Sequence, residues 1–574
     1  MPVRRRLAAV AVAASATALL VLPVAAAGAA APAGVLFGFG NNFSGQLGNT
    51  TKNNTIEPNP TPTQIVLPGE VGAVTQTSSG GQFSLAVTAT GQLFAFGDNH
   101  YGQLGSTTNS GTSTPNPTPT RVKLPGEVGA VTQIAAGYGF SLVLTASDQL
   151  YGFGNNDSGE LGNTTNNGTN NGAFIPNPHP VRVGLPGQVG TITQIAAGYD
   201  HTLVVTSSGQ LYAFGYNGSG DLGNPINDDI DVANPTPTLV TLPGQVGGVT
   251  QAAAGGFHSL VLTASGQLYA FGENIFGQLG IAANSGTAVD NPVPALVTLP
   301  GQIGRVTQIA TGYNHSLAVT ASGQLYAFGD NRFGQLGNAT NNGTDTANPT
   351  PTRVTLPGQK GAITQIAAGY GHSLVVTADG QLFVFGDNLD GQLGIAANSG
   401  TANANPTPTL VRFPSGTTID AVGEGPGSYH SLAIVAGPPT LSGIAQSHSR
   451  WREANRRVPK SRRPAPPIGT TFSFTLSEQA KVSVAFTQPV SGRRVDGKCI
   501  GQTTHNDHRP KCTRVVTRGT LSVVDLSGRD KVVFQGRASS GRELALGRYT
   551  AVITATNAAG QQSKPHSLSF TITT

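Results

Sequence analysis

Leu325–Gly337, with the sequence LYAFGDNRFGQLG, is one of seven related copies along this chain. The copies begin at Leu36, Leu93, Leu150, Leu211, Leu268, Leu325 and Leu382. Successive copies are 57, 57, 61, 57, 57 and 57 residues apart. Self-similarity at so regular a period predicts a solenoid, a propeller or another tandem array of one small structural unit.

One full period contains four short segments with the residue pattern of β-strands. Leu325–Gly329 is apolar, and Pro351–Leu356 alternates between polar and apolar residues. Ile363–Ala367 and His372–Thr377 follow, and Asp379-Gly380 supplies a tight turn into the next copy. Four antiparallel strands joined by turns are typical of one blade of a β-propeller.

The second half of each period has its own motif, A-x-G-x-x-H-S-L, which also occurs seven times with small variations. The two half-motifs are out of phase at the ends of the array, because the array begins with Leu36–Gly40 and ends with His430–Val435. Pairing these two segments would complete a composite blade and leave no open sheet edge. The sequence therefore predicts an all-β fold, a seven-bladed β-propeller closed by its N- and C-terminal strands.

Two stretches of the repeat, GxNxxGQLG at Gly329–Gly337 and AxGxxHSLxxT at Ala310–Thr320, resemble signatures of the regulator of chromosome condensation family. The resemblance implies a seven-bladed propeller. It also implies a candidate activity, guanine-nucleotide exchange on a small GTPase, because the eukaryotic member has this activity and binds chromatin. Proteins of one fold differ in function, and this chain departs from that member in having a secretion leader and no basic N-terminal arm.

The chain divides into four predicted regions. Residues 1–32 contain three arginines, an apolar run and small residues, as secretory signal peptides do. Residues 33–437 hold the propeller repeats, 438–469 form a basic, Pro-rich linker, and 470–574 form a small β domain. We therefore expect a secreted or envelope-associated protein; the alternative is that the leader is retained as a membrane anchor.

Charge is distributed unevenly along the chain. Residues 34–437 carry 9 Lys or Arg against 21 Asp or Glu, a net charge of −12. Residues 438–574 carry 21 against 7, a net charge of +14. An acidic repeat region without a basic arm gives no reason to expect a nucleic-acid partner.

One asparagine is identical in all seven copies of the turn, with a glycine three residues later. Asn side chains hydrogen-bond the nearby backbone and tolerate turn conformations, so we predict a structural role. These residues are Asn42, Asn99, Asn156, Asn217, Asn274, Asn331 and Asn388.

The two residues after each asparagine differ from copy to copy, which predicts a varied surface on one face of the ring. Tyr101, Phe276, Arg332 and Phe333 are the candidates for a binding patch there, because aromatic side chains and Arg anchor interfaces. The alternative is that each of these side chains packs on its own blade or on the neighbouring one.

Five copies of the second motif carry a histidine, whereas Phe83 and Phe140 occupy the other two positions. Because phenylalanine is tolerated and successive blades hold these positions far apart, we predict packing and hydrogen bonding and no metal or other cofactor. The histidines are His201, His258, His315, His372 and His430.

No recognised catalytic arrangement stands out in the sequence. It lacks an H-E-x-x-H motif and a phosphate-binding G-x-x-x-x-G-K-S/T loop. We predict an exported, non-enzymatic propeller that binds a protein or a cell-envelope polymer through one face. Guanine-nucleotide exchange is one alternative, and a carbohydrate-active enzyme on the propeller axis is another, because carboxylates from distant blades can meet in the fold.

The segment after the repeats is strongly basic. Ser447–Pro467 holds seven Lys or Arg against one acidic residue, Glu453, and ends in Pro464–Pro467. We predict either a solvated tether or a site at Arg450–Arg463 that attracts an anionic polymer of the cell envelope.

From Thr470 onward, alternating segments predict a small antiparallel β-sandwich. The stretch from Leu546 to Gly560 resembles the closing hairpin of bacterial immunoglobulin-like modules. Cys499 and Cys512 are the only cysteines, and in an exported protein they predict a disulfide. Half of a zinc site with His505 and His508 is the alternative.

Overall fold

The computed structural model describes residues 34–126, 129–167, 175–228, 230, 232–413, 417–437, 439–453, 465–557 and 562–573. Within these ranges the regular structure consists of β-strands. The predicted leader, residues 1–32, lies outside the described residues. Across the described part of the chain, no helix has the length and apolar character needed to span a membrane.

The strands of the repeat region follow one another in four-strand units. In chain order they are β1 (Val35–Gly40), β2 (Thr63–Gln64), β3 (Val74–Ser79), β4 (Phe83–Thr88), β5 (Leu93–Gly97), β6 (Asn116–Val122), β7 (Val131–Ala136), β8 (Phe140–Thr145), β9 (Leu150–Gly154), β10 (Asn177–Val183), β11 (Ile192–Ala197), β12 (His201–Thr206), β13 (Leu211–Gly215), β14 (Asn234–Leu239), β15 (Val249–Ala254), β16 (His258–Thr263), β17 (Leu268–Gly272), β18 (Asn291–Val297), β19 (Val306–Thr311), β20 (His315–Thr320), β21 (Leu325–Gly329), β22 (Thr352–Val354), β23 (Ile363–Ala368), β24 (His372–Thr377), β25 (Leu382–Gly386), β26 (Asn405–Leu410), β27 (Ile419–Gly423) and β28 (His430–Val435).

These strands form seven four-stranded antiparallel sheets, the blades of a propeller. Blades 1 to 6 are β3–β6, β7–β10, β11–β14, β15–β18, β19–β22 and β23–β26, and blade 7 combines β27 and β28 with β1 and β2. In blade 7, β1 pairs with β28 from Val35 opposite Val435 to Gly40 opposite His430. This is the pairing that the offset half-motifs predict.

Blade 7 contacts the blades on both sides of it. Ser79 Oγ of blade 1 donates a hydrogen bond to the Gly423 carbonyl of blade 7 (2.9 Å). Gln365 of blade 6 exchanges two hydrogen bonds with Val422, donating from Nε2 (2.7 Å) and accepting at Oε1 (2.9 Å). The glutamine of the recurring V-T-Q or I-T-Q segment thus bridges the innermost strands of neighbouring blades.

Apolar side chains pack between neighbouring blades. Phe83 and Leu85 of blade 1 share one buried cluster with Tyr151 and Phe153 of blade 2. Middle strands such as β20 are buried along their whole length. Because both faces of each blade are covered in this way, side chains on both sides of these strands are buried.

The strands after residue 440 hydrogen-bond as one seven-stranded sheet. They are β29 (Leu441–Gln446), β30 (Arg450–Arg452), β31 (Thr470–Val495), β32 (Lys498–Ile500), β33 (Lys511–Phe534), β34 (Gly547–Thr556) and β35 (His566–Thr573). The long strand β31 pairs with β33 on one edge, and with β29 and then β34 on the other. The immunoglobulin-like arrangement stays a prediction.

The structure corrects the predicted linker, residues 438–469, in its first half. β29 pairs with the start of β31, and β30 runs parallel to β35. Trp451 is 0% exposed, with its ring stacked on Phe570 at 5.5 Å. The flanking arginines suggested a solvated segment, but side chains alternate along a strand, so Trp451 faces the core. Residues 454–463 of the predicted polyanion site lie outside the described residues.

Cys499 and Cys512 form the predicted disulfide, with their Cα atoms 6.0 Å apart. It joins the short strand β32 to the beginning of β33. The zinc alternative is therefore wrong, because both thiols are used in the disulfide.

Candidate binding face

The invariant asparagine closes the turn that follows the third strand of each blade. In blade 5, Asn331 Oδ1 accepts from the Leu336 amide (3.0 Å), and Nδ2 donates to the carbonyls of Asn338 (3.0 Å) and Thr340 (2.6 Å). The equivalent bonds are made by Asn42, Asn99, Asn156, Asn217, Asn274 and Asn388. This is the structural role that the sequence predicts.

In four of the seven blades the same turn holds a carboxyl–glutamine pair. In blade 5, Asp330 Oδ2 accepts from Gln335 Nε2 (3.0 Å), and Gln335 Oε1 accepts from the Phe333 amide (2.8 Å). Equivalent pairs are Asp98–Gln103, Glu273–Gln278 and Asp387–Gln392. Burial raises the pKa of all four carboxyl groups, and the hydrogen bonds they accept partly oppose that rise.

Blade 3 departs from this pattern. Tyr216 stands in place of the acid, and Asp221 stands in place of the glutamine. Asp221 is 0% exposed, and neither of its carboxylate oxygens has a hydrogen-bond partner among the described residues. Burial raises the pKa of Asp221 well above its ordinary value, and the nearby Glu273 raises it further. Such a buried carboxyl group destabilises the fold.

The histidines of the second motif join neighbouring blades. His315 Nε2 lies 2.9 Å from Ser373 Oγ of the next blade, and that hydroxyl donates to the Gln335 carbonyl (2.8 Å). Because the serine proton is used in this way, Nε2 carries the imidazole proton and donates it. The other contacts are His201–Ser259, His258–Ser316, His372–Ser431 and His430–Ser84.

These contacts confirm the predicted packing and hydrogen-bonding role of the histidines. Burial lowers the pKa of His201, His258, His315 and His430 to about 3, so these rings are neutral at ordinary pH. The motif glycine makes room for the ring, because a Cβ on Gly312 would collide with the imidazole of His315.

The four candidate binding residues lie in the turns but do not form one patch. The Arg332 guanidinium lies 5.5 Å from the centroid of the Phe276 ring and 2.6 Å from Asp345. Tyr101 and Phe333 pack against glycines of the next blades: a Cβ on Gly139 would lie 2.8 Å from Tyr101, and one on Gly371 would lie 2.9 Å from Phe333. Burial raises the pKa of Tyr101 to about 12.

Six aromatic side chains follow the innermost strands and contact one another around the axis on this face. Tyr138 stacks on Tyr199 (centroids 4.1 Å apart), and Tyr370 stacks on both Tyr313 (4.6 Å) and Tyr429 (4.7 Å). Phe257 contacts Tyr199 and Tyr313 at 5.7 and 5.6 Å. We refer to Tyr138, Tyr199, Phe257, Tyr313, Tyr370 and Tyr429 as the tyrosine ring. All six are half-buried.

Backbone hydrogen bonds fix the tyrosine ring from blade to blade. The amide of Tyr199 donates to the Gly255 carbonyl (3.0 Å), and the amide of Tyr370 donates to the Ser428 carbonyl (2.9 Å). Burial raises the pKa of Tyr199, Tyr313 and Tyr429, and nearby phenols raise it further. Nearby carboxyl groups also raise these pKa values: Asp200 raises that of Tyr199, and both Glu273 and Asp200 raise that of Tyr313. The phenols of Tyr199, Tyr313 and Tyr429 are therefore protonated at ordinary pH.

An insertion in blade 7 crosses the channel next to the tyrosine ring. Glu424 lies six residues before His430, whereas Ala368 lies four residues before His372. A Cβ on Gly425 would lie 2.6 Å from the Ala136 carbonyl of blade 2. A Cβ on Gly427 would lie 2.9 Å from the ring of Tyr138. The inserted loop therefore reaches from blade 7 to blade 2.

The inserted loop carries a buried carboxylate. Glu424 Oε2 accepts from Ser428 Oγ (2.7 Å) and lies 3.6 Å from His372 Nε2, and the side chains of Glu424 and His372 are both 0% exposed. Oε1 has no partner among the described residues. A cavity of about 290 Å³ lies along the axis, lined by Glu424 and by small residues of the innermost strands such as Ala135, Ala196 and Ala253.

The sequence prediction missed both the tyrosine ring and Glu424. A tyrosine directly follows the motif glycine in four of the seven copies, at Tyr138, Tyr199, Tyr313 and Tyr370. That recurrence was a usable signal, as was the longer spacing before His430. Both features lie at positions that the consensus A-x-G-x-x-H leaves unspecified.

Comparisons with known proteins agree with this architecture. The RCC1-like domain matches residues 111–442, and regulator of chromosome condensation (RCC1) repeats match residues 33–87 and 74–103. The ultraviolet-B receptor UVR8 of Arabidopsis thaliana is 30% identical over 63% of this chain and 74% of its own length. The human E3 ubiquitin-protein ligase HERC2 is 29% identical over 72% of this chain, but the match spans 8% of that protein.

Solved structures share the fold. Human WBSCR16 superposes with a TM-score of 0.59 at 24% identity, covering 70% of this chain and 98% of that one. Prp20p from Saccharomyces cerevisiae superposes with a TM-score of 0.59 at 23% identity, covering 71% of this chain and 92% of that one. At this level of identity the likeness shows the propeller and nothing about activity.

Proposed function

This chain belongs to the RCC1-like family of propellers, and we propose that it is a non-enzymatic scaffold that binds a protein partner through the face bearing the tyrosine ring. The observation that carries the proposal is the ring itself. Six aromatic side chains from six blades keep part of their surface exposed around one axis. Clustered tyrosines of this kind anchor protein interfaces because they combine apolar area with a polar tip.

Protein binding also fits what is described for proteins of this fold. Prp20p has been characterised together with its binding to Gsp1p and histones, and it has been seen in complex with Kap60. Those partners belong to Prp20p. For this chain they support the class of function, a propeller that uses a face for protein contacts.

We propose that the chain acts outside the cytosol, and that the basic tail holds it near an anionic cell envelope. The support is in the sequence: residues 1–32 are built like a signal peptide, and residues 438–574 carry a net charge of +14. Location outside the cytosol would separate the chain from cytosolic GTPases, which argues against nucleotide exchange as its activity.

We propose no catalytic activity for this chain. The contact among Glu424, His372 and Ser431 resembles an acid–base grouping in composition. However, the side chains of Glu424 and His372 are 0% exposed, and Ser431 is also 0% exposed. A substrate could not reach them without opening the blades, so we assign these residues to the joint between blades 6 and 7.

The test is affinity capture from the native envelope with the full chain and two matched variants. Tyr370→Ser replaces one tyrosine of the ring by serine. Serine already occurs in blade 7 at the same distance before the motif histidine, at Ser428. Ile303→Ser alters a residue on the opposite face that is 63% exposed. We expect Tyr370→Ser to lose the partner and Ile303→Ser to retain it. Equal recovery by both variants, or GDP release or glycan cleavage by the purified chain, would contradict the proposal.

A further inference from the structure

We propose that the tyrosine ring docks a lysine or arginine side chain presented by a basic segment of the partner protein. This inference rests on the proposed function and adds the chemistry of the partner.

Acidic groups gather on the face that carries the ring. The turns place Asp98, Glu273, Asp330 and Asp387 on this side, one in each of four blades. Each accepts a hydrogen bond from the neutral amide of a glutamine. A neutral donor satisfies a carboxylate oxygen but does not cancel its charge, so this face attracts cations.

Most basic residues of the propeller lie away from the face that carries the tyrosine ring. Arg121 and Arg353 belong to the outermost strands β6 and β22. Arg305 precedes the innermost strand β19, whereas Tyr313 follows it, so the two lie at opposite ends of one strand. On the ring side, Arg332 lies 2.6 Å from Asp345, and Lys52 lies 3.8 Å from Glu57. The acidic character of this face is therefore largely uncompensated within the propeller.

The geometry of the tyrosine ring selects among ligands. Three pairs of its rings stack and cover the sides that face each other, with interplanar angles of 17°, 28° and 25°. Covered faces cannot stack on a sugar ring or a nucleobase. The phenolic oxygens remain as hydrogen-bond acceptors, and an ammonium or guanidinium group offers donors only. An anionic polymer would meet like charge here.

The inserted loop of blade 7 closes the axial site on its inner side. Gly425 and Gly427 approach blades 1 and 2 and the ring of Tyr138 so closely that a Cβ at either position would crowd them. A side chain arriving along the axis is therefore stopped at the ring, with the carboxyl group of Glu424 buried below it, 3.6 Å from His372 Nε2. A long, flexible basic side chain suits such a shallow axial site.

The experiment measures binding of fluorescein-labelled octalysine to the full chain by anisotropy. Three variants are compared: Glu273→Gln, Tyr313→Phe combined with Tyr370→Phe, and Asp379→Asn as a charge-matched control. The amide introduced by Glu273→Gln would keep an acceptor for Gln278, so the turn is preserved. Asp379 is exposed on the hairpin between β24 and β25, at the opposite end of the blade.

We expect saturable binding that falls about tenfold between 50 and 300 mM salt. Glu273→Gln should weaken it about threefold and the double phenylalanine variant about fivefold. Asp379→Asn should leave it within twofold, because Asp379 lies at the opposite end of the blade from the tyrosine ring. Absence of saturable octalysine binding, or equal losses in Glu273→Gln and Asp379→Asn, would overturn the inference. If capture of the native partner still depended on Tyr370, the proposed function would stand and only the chemistry of the partner would be wrong.

Discussion

The propeller and the C-terminal sheet are both all-β, but they distribute their stabilising contacts differently. The propeller repeats one set of contacts between blades, with a Ser or Thr hydroxyl donating to the preceding turn at all seven interfaces. The C-terminal sheet depends on one core in which Trp451, Phe472, Phe486, Phe534 and Phe570 touch one another. Loss of one contact should therefore lower the stability of the propeller only slightly and that of the C-terminal sheet strongly.

Trp451→Ala should give the largest effect. Removing a fully buried aromatic ring costs about 3–5 kcal/mol, and Trp451 is 0% exposed at the centre of this core. We expect urea unfolding, followed by circular dichroism, to separate into two transitions, with the sheet unfolding first. Trp451→Phe is the control, and it should cost less because the indole Nε1 has no hydrogen-bond partner among the described residues. A single shifted transition would show that the two regions unfold together.

Replacing Cys499 and Cys512 by serine should have the next largest effect, again confined to the sheet. The disulfide closes a loop with a sequence separation of 13 residues, and a loop of this size contributes about 3 kcal/mol by restricting the unfolded chain. The measurement is the same unfolding curve with and without a reductant. The doubly substituted protein should not respond to reductant, and a change in the propeller transition would contradict the comparison.

Asp221→Gln should stabilise the propeller by about 1–2 kcal/mol, because it removes a buried carboxyl without partners. The folded-state pKa of Asp221 is raised. The loss of stability caused by ionising this carboxyl group is therefore absent at low pH, and it grows as the pH rises above 3.8, the ordinary pKa of an aspartate. The gain from Asp221→Gln should therefore increase with pH in thermal melts. Gln335→Asp makes the reverse change in blade 5 and should destabilise; equal stabilities would refute this explanation of blade 3.

His258→Phe should have the smallest effect at neutral pH, and its sign should depend on pH. Blades 1 and 2 already hold Phe83 and Phe140 at this position. At pH 7 the variant loses the hydrogen bond to Ser316, worth about 1 kcal/mol. Burial lowers the pKa of His258 from 6.5 to about 3, so below pH 6.5 the unfolded chain binds a proton that the folded chain does not. Each pH unit below 6.5 then lowers the free energy of unfolding of the parent protein by about 1.4 kcal/mol.

We therefore expect His258→Phe to be less stable than the parent protein at pH 7 and more stable at pH 5. Thermal melts at the two values test this reversal. A variant that is less stable at both would mean that His258 is protonated in the folded protein.

The sequence predicted the propeller because its information is repeated. Seven copies of one turn and one strand pair average out local ambiguity, and the offset half-motifs even predict which strands pair in blade 7. The C-terminal sheet offers no such averaging. Trp451 lies in a strand of three residues between arginines, and its core position depends on a parallel partner, β35, more than a hundred residues away. Local charge could not reveal that partner.

The site was predicted only in part, for a related reason. Comparing copies highlights what is constant, such as the turn asparagines, and it directed attention to the variable turn residues Tyr101 and Phe333, which pack on neighbouring blades. The tyrosine ring is neither constant nor fully variable, because an aromatic residue occurs in six of the seven copies and is shifted by one position at Phe257 and Tyr429. Its meaning emerges only when the blades are arranged around an axis and the side chains meet.

The composite seventh blade has a consequence for biosynthesis. Val35–Gly40 is made first, yet its neighbour His430–Val435 emerges only after about four hundred further residues. Until then the nascent chain carries an unpaired strand edge, which is a template for aggregation. A chain truncated before residue 430 would keep that edge exposed, so protease sensitivity of β1 would report whether translation had reached the last repeat.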